Sequence, residues 1–78
     1  MLRLNELAPG GVGRVAGLET EGAMRRRLLE LGLVADTRVR CLGRSPLGDP
    51  SAYEIRGAVI ALRDRDSAGV LVEGEAWD

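Results

Sequence analysis

Asp64, Asp66 and Glu73 bring three carboxylates close together near the C-terminal end of the chain. Oxygen ligands of this kind hold hard cations, but the spacing is unlike an EF-hand loop. A solvated acidic turn, with carboxylates at the start of a helix where the dipole favours them, accounts for Asp64 and Asp66 better. Cys41 is the single cysteine and histidine is absent. No internal disulfide can form, and neither can the usual Cys/His zinc site. A thiolate nucleophile wants a basic partner, usually histidine, and none exists here. Cys41 therefore reads as a small core side chain. The glycines of "GGVGR", residues 10–14, lack the Gly-Lys-Ser/Thr ending of a phosphate loop. Arg25, Arg26 and Arg27 are consecutive, so on a helix they point in different directions and do not make one anion patch. Enzyme chemistry finds no support in these constellations, and no catalytic residue, metal site or cofactor is expected.

Composition narrows the classes further. The chain has 78 residues, 11 basic and 12 acidic, for a formal net charge of −1. Every basic residue is arginine, which favours bidentate ion pairs with carboxylates, although genomic bias explains the usage more simply. Near-neutral charge and 3% aromatic content argue against a nucleic-acid binder, which shows a basic footprint or stacking aromatics. The longest apolar run is "AVIAL", residues 58–62, far short of the roughly 20 residues of a membrane span. Met1 leads directly into "LRLNEL", so no signal peptide is expected. One free cysteine fits a reducing, cytoplasmic setting. One domain over residues 1–78 is expected, with 75–78 as a flexible tail.

The patterning predicts mostly short strands. Leu2, Leu4 and Leu7 precede a break at Pro9, Gly10 and Gly11 and can dock the N-terminus on the core. Residues 12–18 read as a strand whose glycines, Gly13 and Gly17, mark a bulge or bend. Residues 20–32 form the one good helix. Thr20 is the predicted N-cap, Met24, Leu28 and Leu31 the buried stripe, and Gly32 the stop. Glu21 and Arg25 stand in the favourable i, i+4 order. Leu29 lies well off the stripe, and Arg26 and Glu30 face away from it. Leu29 is either a stray exposed leucine or a contact point for a partner or a second copy.

Residues 37–44 alternate, with Val39 and Cys41 on one side and Arg38, Arg40 and Arg44 on the other. In "SPLGDP", residues 45–50, Ser45, Pro46 and Gly48 fit positions i, i+1 and i+3 of a type I turn. Pro50 biases Asp49 toward extended geometry. Leu47 stands at the tip of this turn, held outward as a contact or folded back onto the core. The next strand alternates with Tyr53 and Ile55 inward, and Gly57 ends it. Residues 58–63 are apolar enough to predict a central strand. Residues 64–69 predict a helical turn, and 70–73 a last strand. Trp77 falls in the tail. The fold expected from this order is all-β with one short helix after the first strand, arranged as a small partly closed β-barrel.

The set "LNEL.PG", "RRRLLELGLV", "SPLGDP" and "IALR", in that order from Leu4 to about Glu73, resembles the FeoA family of bacterial ferrous iron uptake. Three departures stand out, the mildest being Ser67 where alanine is usual. Ala35-Asp36 occupy the place of a usual Pro-Gly after the helix, and neither adopts positive φ as readily as glycine. Ser51 opens a strand where an aliphatic residue is usual. The resemblance implies an SH3-like barrel and a non-enzymatic accessory role. It also implies a partner, the FeoB-type membrane iron transporter with its cytoplasmic G domain, and a chain that is not itself an iron carrier. Under that reading Pro46, Leu47, Gly48, Asp49 and Pro50, with Leu29 and Arg26, form the candidate partner-binding surface, because a rigid loop loses less entropy on binding. An arginine finger from Arg25, Arg26 or Arg56 toward the G domain is a further idea that no sequence feature demands. The alternative is a self-associating SH3-like module in which the apolar loop and Leu29 serve a homo-oligomer.

Overall fold

A computed structural model describes residues 1–74; the expected tail, including Trp77, lies outside the described residues. Six strands form one antiparallel sheet in the order β1-β6-β2-β3-β4-β5. The strands are β1 (Leu2–Arg3), β2 (Val12–Leu18), β3 (Arg38–Arg44), β4 (Ser51–Ile55), β5 (Ala58–Leu62) and β6 (Val70–Gly74). Helix α1 (Gly22–Glu30) follows β2, and the short α2 (Asp64–Ser67) precedes β6. A 3-10 turn, Leu4–Glu6, follows β1. The sheet ends at β1 and β5 are not paired with each other, so the barrel is partly closed, as expected.

Alternation decides which side faces the core. Val39, Cys41, Tyr53 and Ile55 point inward and are buried, while Arg38, Arg40, Glu54 and Arg56 are exposed. Cys41 is fully buried. Leu4 and Leu7 dock the N-terminal segment on this core, whereas Leu2 stays partly exposed. From α1 only Leu28 is fully buried; Met24 and Leu31 pack partly against the cluster. Burying a leucine of this kind contributes about 1.5–3 kcal/mol, a large share of the margin of so small a domain.

Three expectations need correcting. The helix follows the second strand, because Leu2 and Arg3 pair with Val72 and Leu71 as an additional short strand. Thr20 is not the N-cap; Glu21 holds that position without a side-chain cap. Thr20 lies directly against Gly69, where Glu19 N–H donates to Gly69 O at 2.8 Å. The Arg25 guanidinium donates to Leu18 O at 3.3 Å, tying the helix to β2. Strand β5 is not central but the last strand of the sheet. Its apolar run lies on a bare flank, with Ala58, Val59 and Ala61 open to solvent.

Two turns place non-glycine residues at positive φ. Arg56 (φ 53°) and Gly57 (φ 81°) close the β4–β5 hairpin between the paired Ile55 and Ala58, the geometry of a type I′ turn. Asp36 has φ 70° in the turn where Thr37 N–H donates to Val34 O at 3.1 Å. This is the third position of a turn that favours glycine. Aspartate tolerates the conformation better than most residues, and the turn is pinned by Asp36 N–H donating to Val15 O at 2.8 Å.

Tyr53 is the largest fully buried side chain. Its hydroxyl is buried without a hydrogen-bond partner, short of bonding geometry with the nearby Ser67 and Ser51 hydroxyls. Burial raises the phenol pKa above its ordinary 10.0, and the neighbouring serines partly offset that rise.

Two measurements check this account. Asp36→Gly should raise stability by about 0.5–1 kcal/mol in denaturant unfolding, the relief at positive φ outweighing the added chain entropy. Tyr53→Phe should raise it by about 1 kcal/mol by removing an unsatisfied hydroxyl. The folded chain holds the Tyr53 proton to higher pH than the unfolded chain does. Unfolding above the ordinary tyrosine pKa therefore releases a proton, and stability falls as pH climbs from there. That alkaline loss should shrink in the phenylalanine variant.

Candidate functional site

The candidate surface is the loop between β3 and β4, and hydrogen bonds fix its shape. Gly48 N–H donates to Ser45 O at 2.8 Å, closing the four-residue turn, and Ser45 N–H donates to Pro50 O at 3.0 Å across its base. The Asp49–Pro50 peptide bond is cis. Asp49 Oδ1 accepts the backbone N–H of Asp64 at 2.9 Å. Helix α2 has no cap of its own from Arg63, so the loop supplies it. Arg44 ties down the other side. Its guanidinium donates to Ser51 Oγ at 3.2 Å and to Asn5 O at 3.0 Å. Asn5 Nδ2 in turn donates to Asp64 Oδ1 at 3.2 Å. Loop, N-terminal segment and α2 are thus one hydrogen-bonded unit.

At the tip of that unit Leu47 is 93% exposed. A leucine held outward on a pinned turn has no role in the core. Beneath it, Leu42, Ser45, Pro50, Ala52 and Ala61 line a shallow groove of about 370 Å³ on the outer sheet face. A second groove of about 310 Å³ runs from Met24 and Arg27 of α1 past Ala61 and Leu62 to Arg65 of α2. Ala61 borders both, so the loop face and the helix face are contiguous. A third hollow, of about 290 Å³, is lined by Arg38, Arg40, Glu54 and Arg56 and is polar.

The structure brings Pro46, Leu47, Gly48, Asp49 and Pro50 together on one turn. Leu29 and Arg26 belong to α1, which presents Met24 and Arg27 to the groove bordering Ala61. Leu29 is 37% exposed and Arg26 is exposed. Leu42, Ala52 and Ala61 were missed as part of this surface. One signal was available: in "RVRCL" the outward positions are Arg38, Arg40 and Leu42, so Leu42 is a leucine on an arginine face, and it is 43% exposed. Of the acidic residues first considered, Asp64 is engaged with Asn5. Among the described residues no group of three His, Cys, Asp or Glu side chains converges.

The family model for the FeoA domain matches residues 2–74. The chain belongs to the FeoA family. It is 35% identical over 72 residues to the Fe(2+) transport protein A/Fe(2+) transporter FeoB fusion protein of Porphyromonas gingivalis. That alignment covers 92% of this chain but only 8% of the relative. The FeoA protein of Chlorobium tepidum superposes with a TM-score of 0.90 at 35% identity, covering 99% of this chain and 73% of that one. The zinc-complexed FeoA of Stenotrophomonas maltophilia, described as an SH3 domain protein, gives a TM-score of 0.84 at 28% identity over 94% and 91% of the two chains. The FeoA fold of this chain is therefore SH3-like, and the family is linked to ferrous iron transport. Among the described residues no helix is long and apolar enough to cross a membrane.

Because Asp49 is the cap of α2, Asp49→Ala should lower stability by about 1 kcal/mol. The Asp64 amide should exchange with solvent faster than in the parent protein. Unchanged exchange at Asp64 would show that the loop and α2 are not coupled through this bond.

Proposed function

We propose that this FeoA-family chain is a cytoplasmic accessory module of ferrous iron uptake that binds a FeoB-type membrane transporter. The observation that carries the reading is Leu47, 93% exposed on a turn already fixed by hydrogen bonds from both sides. An apolar anchor on a pre-ordered loop binds with little ordering cost, and anchors of this kind dominate interface energies. The groove of Leu42, Pro50, Ala52 and Ala61 extends the contact area below it. The natural fusion of the two proteins in Porphyromonas gingivalis supports the choice of partner. Arg26 and Leu29 on α1 form a second point of contact in this reading. The module acts by binding and not by catalysis: the chain has no histidine and its single cysteine is buried.

The test is a titration of the purified chain against the detergent-solubilised transporter, with and without a GTP analogue. Saturable binding is expected. Leu47→Asp should weaken it about tenfold or more while leaving the thermal unfolding midpoint unchanged, since Leu47 touches no core residue. Equal affinity of the variant, or no binding in any nucleotide state, would overturn the proposal.

A further inference from the structure

Strand β5 lacks most of the features that keep edge strands single; only its C-terminal end, Ala61 and Leu62, shares a groove with Met24 and Arg27 of α1. Natural edges are short, charged, bulged, proline-bearing or covered. The opposite edge, β1, is only two residues long. By contrast, β5 has five residues, Ala58, Val59, Ile60, Ala61 and Leu62, and all are apolar. Its pairing with β4 runs in unbroken register, whereas β2/β6 and β3/β4 each carry a shift. Val59 is 67% exposed, and Ala58 and Ala61 are exposed as well. Among the described residues no strand pairs with its outer side.

We propose that two copies of the chain pair antiparallel through β5, about a two-fold axis at Ile60. The strand is self-complementary in that arrangement, as an isologous contact requires. Ile60 meets its own copy, Val59 faces Ala61, and Ala58 faces Leu62. Side chains opposite one another must share a sheet face, which excludes registers shifted by one residue. Among those that remain, the axis at Ile60 pairs all five strand residues. No charge within the strand opposes the contact. At its ends the Arg56–Gly57 turn of one copy lies beside Arg63 and Asp64 of the other, so Arg56 meets a like and an opposite charge together and the ends neither drive nor block the pairing. The outer face then continues from Leu42, Ala52 and Ala61 of one copy to Val59 of the next. Ala61 borders both this contact and the groove at the base of the Leu47 turn, so the two surfaces meet there; Val59 lies outside that groove, and Val59→Lys and Leu47→Asp tell the dimer from the transporter reading.

Sedimentation velocity from micromolar to millimolar concentration should show a reversible monomer–dimer equilibrium. The backbone amides of β5 should exchange more slowly as concentration rises. Val59→Lys and Ala61→Glu should each raise the dissociation constant about tenfold or more, because each puts a charge opposite an apolar partner at the edge. Both sites are exposed, and unchanged unfolding midpoints will confirm intact folds. Mixing the two variants should restore association, since the ammonium introduced in one copy then faces the carboxylate introduced in the other. Leu47→Asp should leave the dimer intact. A chain that stays monomeric throughout, a dimer indifferent to both β5 variants, a failed rescue on mixing, or a dimer lost in Leu47→Asp would each overturn the proposal.

Discussion

Among the described residues, twelve buried side chains of one cluster seal the inner face of the sheet, without a disulfide or a His-containing metal site to help. Tyr53 is the one aromatic residue in that cluster, and α1 adds only Leu28 as a fully buried contribution. With so few atoms available, Val39, Cys41, Tyr53 and Ile55 fill the inward positions of β3 and β4 with apolar side chains, and the one buried polar residue among them, Ser51, accepts a hydrogen bond from Arg44. The rest of the structure follows from that economy. The N-terminal leucines Leu4 and Leu7 are drawn in to close the core. The unbonded Tyr53 hydroxyl is tolerated because the ring is needed there.

Fixing the inner face leaves the outer face to other uses. Strand alternation sends Arg38, Arg40 and Glu54 outward on the same strands that send Val39, Cys41 and Tyr53 inward. Toward the Ser45–Pro50 end the outward residues change from charged to apolar, at Leu42, Ala52 and Ala61. The shift in β3/β4 pairing falls between Cys41 and Gly43, around Leu42, so the irregularity and the change in surface character coincide. Bulges re-aim side chains in this way. Polar anchoring by Arg44 and Asp49 then holds the loop in front of that apolar patch. The order of the loop comes from backbone and side-chain hydrogen bonds at its base, which leaves its tip free.

Family membership fits this division of labour. An SH3-like barrel is a scaffold that supports many functions, so it is the loop and the groove, not the fold, that point to binding. The edge strand β5 offers a second kind of contact, made with backbone groups and not with a side-chain anchor. One small domain can therefore present two chemically different surfaces on one core.

Much of the fold was legible from local pattern. Alternation identified β3 and β4 and the inward direction of Cys41 and Tyr53, because a strand's period of two is written directly in the residue types. Turn chemistry identified the Ser45–Gly48 turn, because proline and glycine restrict φ locally. The helix was legible from its stripe but not its start, since Thr20 was claimed by a tertiary contact with Gly69. Leu47 was singled out in the sequence, yet its direction was open; exposure depends on what the loop is tied to, and Asp49, Arg44 and Asn5 are brought together only by folding. The sheet order was likewise undecided. A run such as Ala58–Leu62 is apolar whether it lies in the middle of a sheet or at an edge that another chain could cover. Local sequence determined which residues turn inward, because that choice is made within one strand. Only the tertiary structure decided which strand has a free side, because that depends on how distant segments pair.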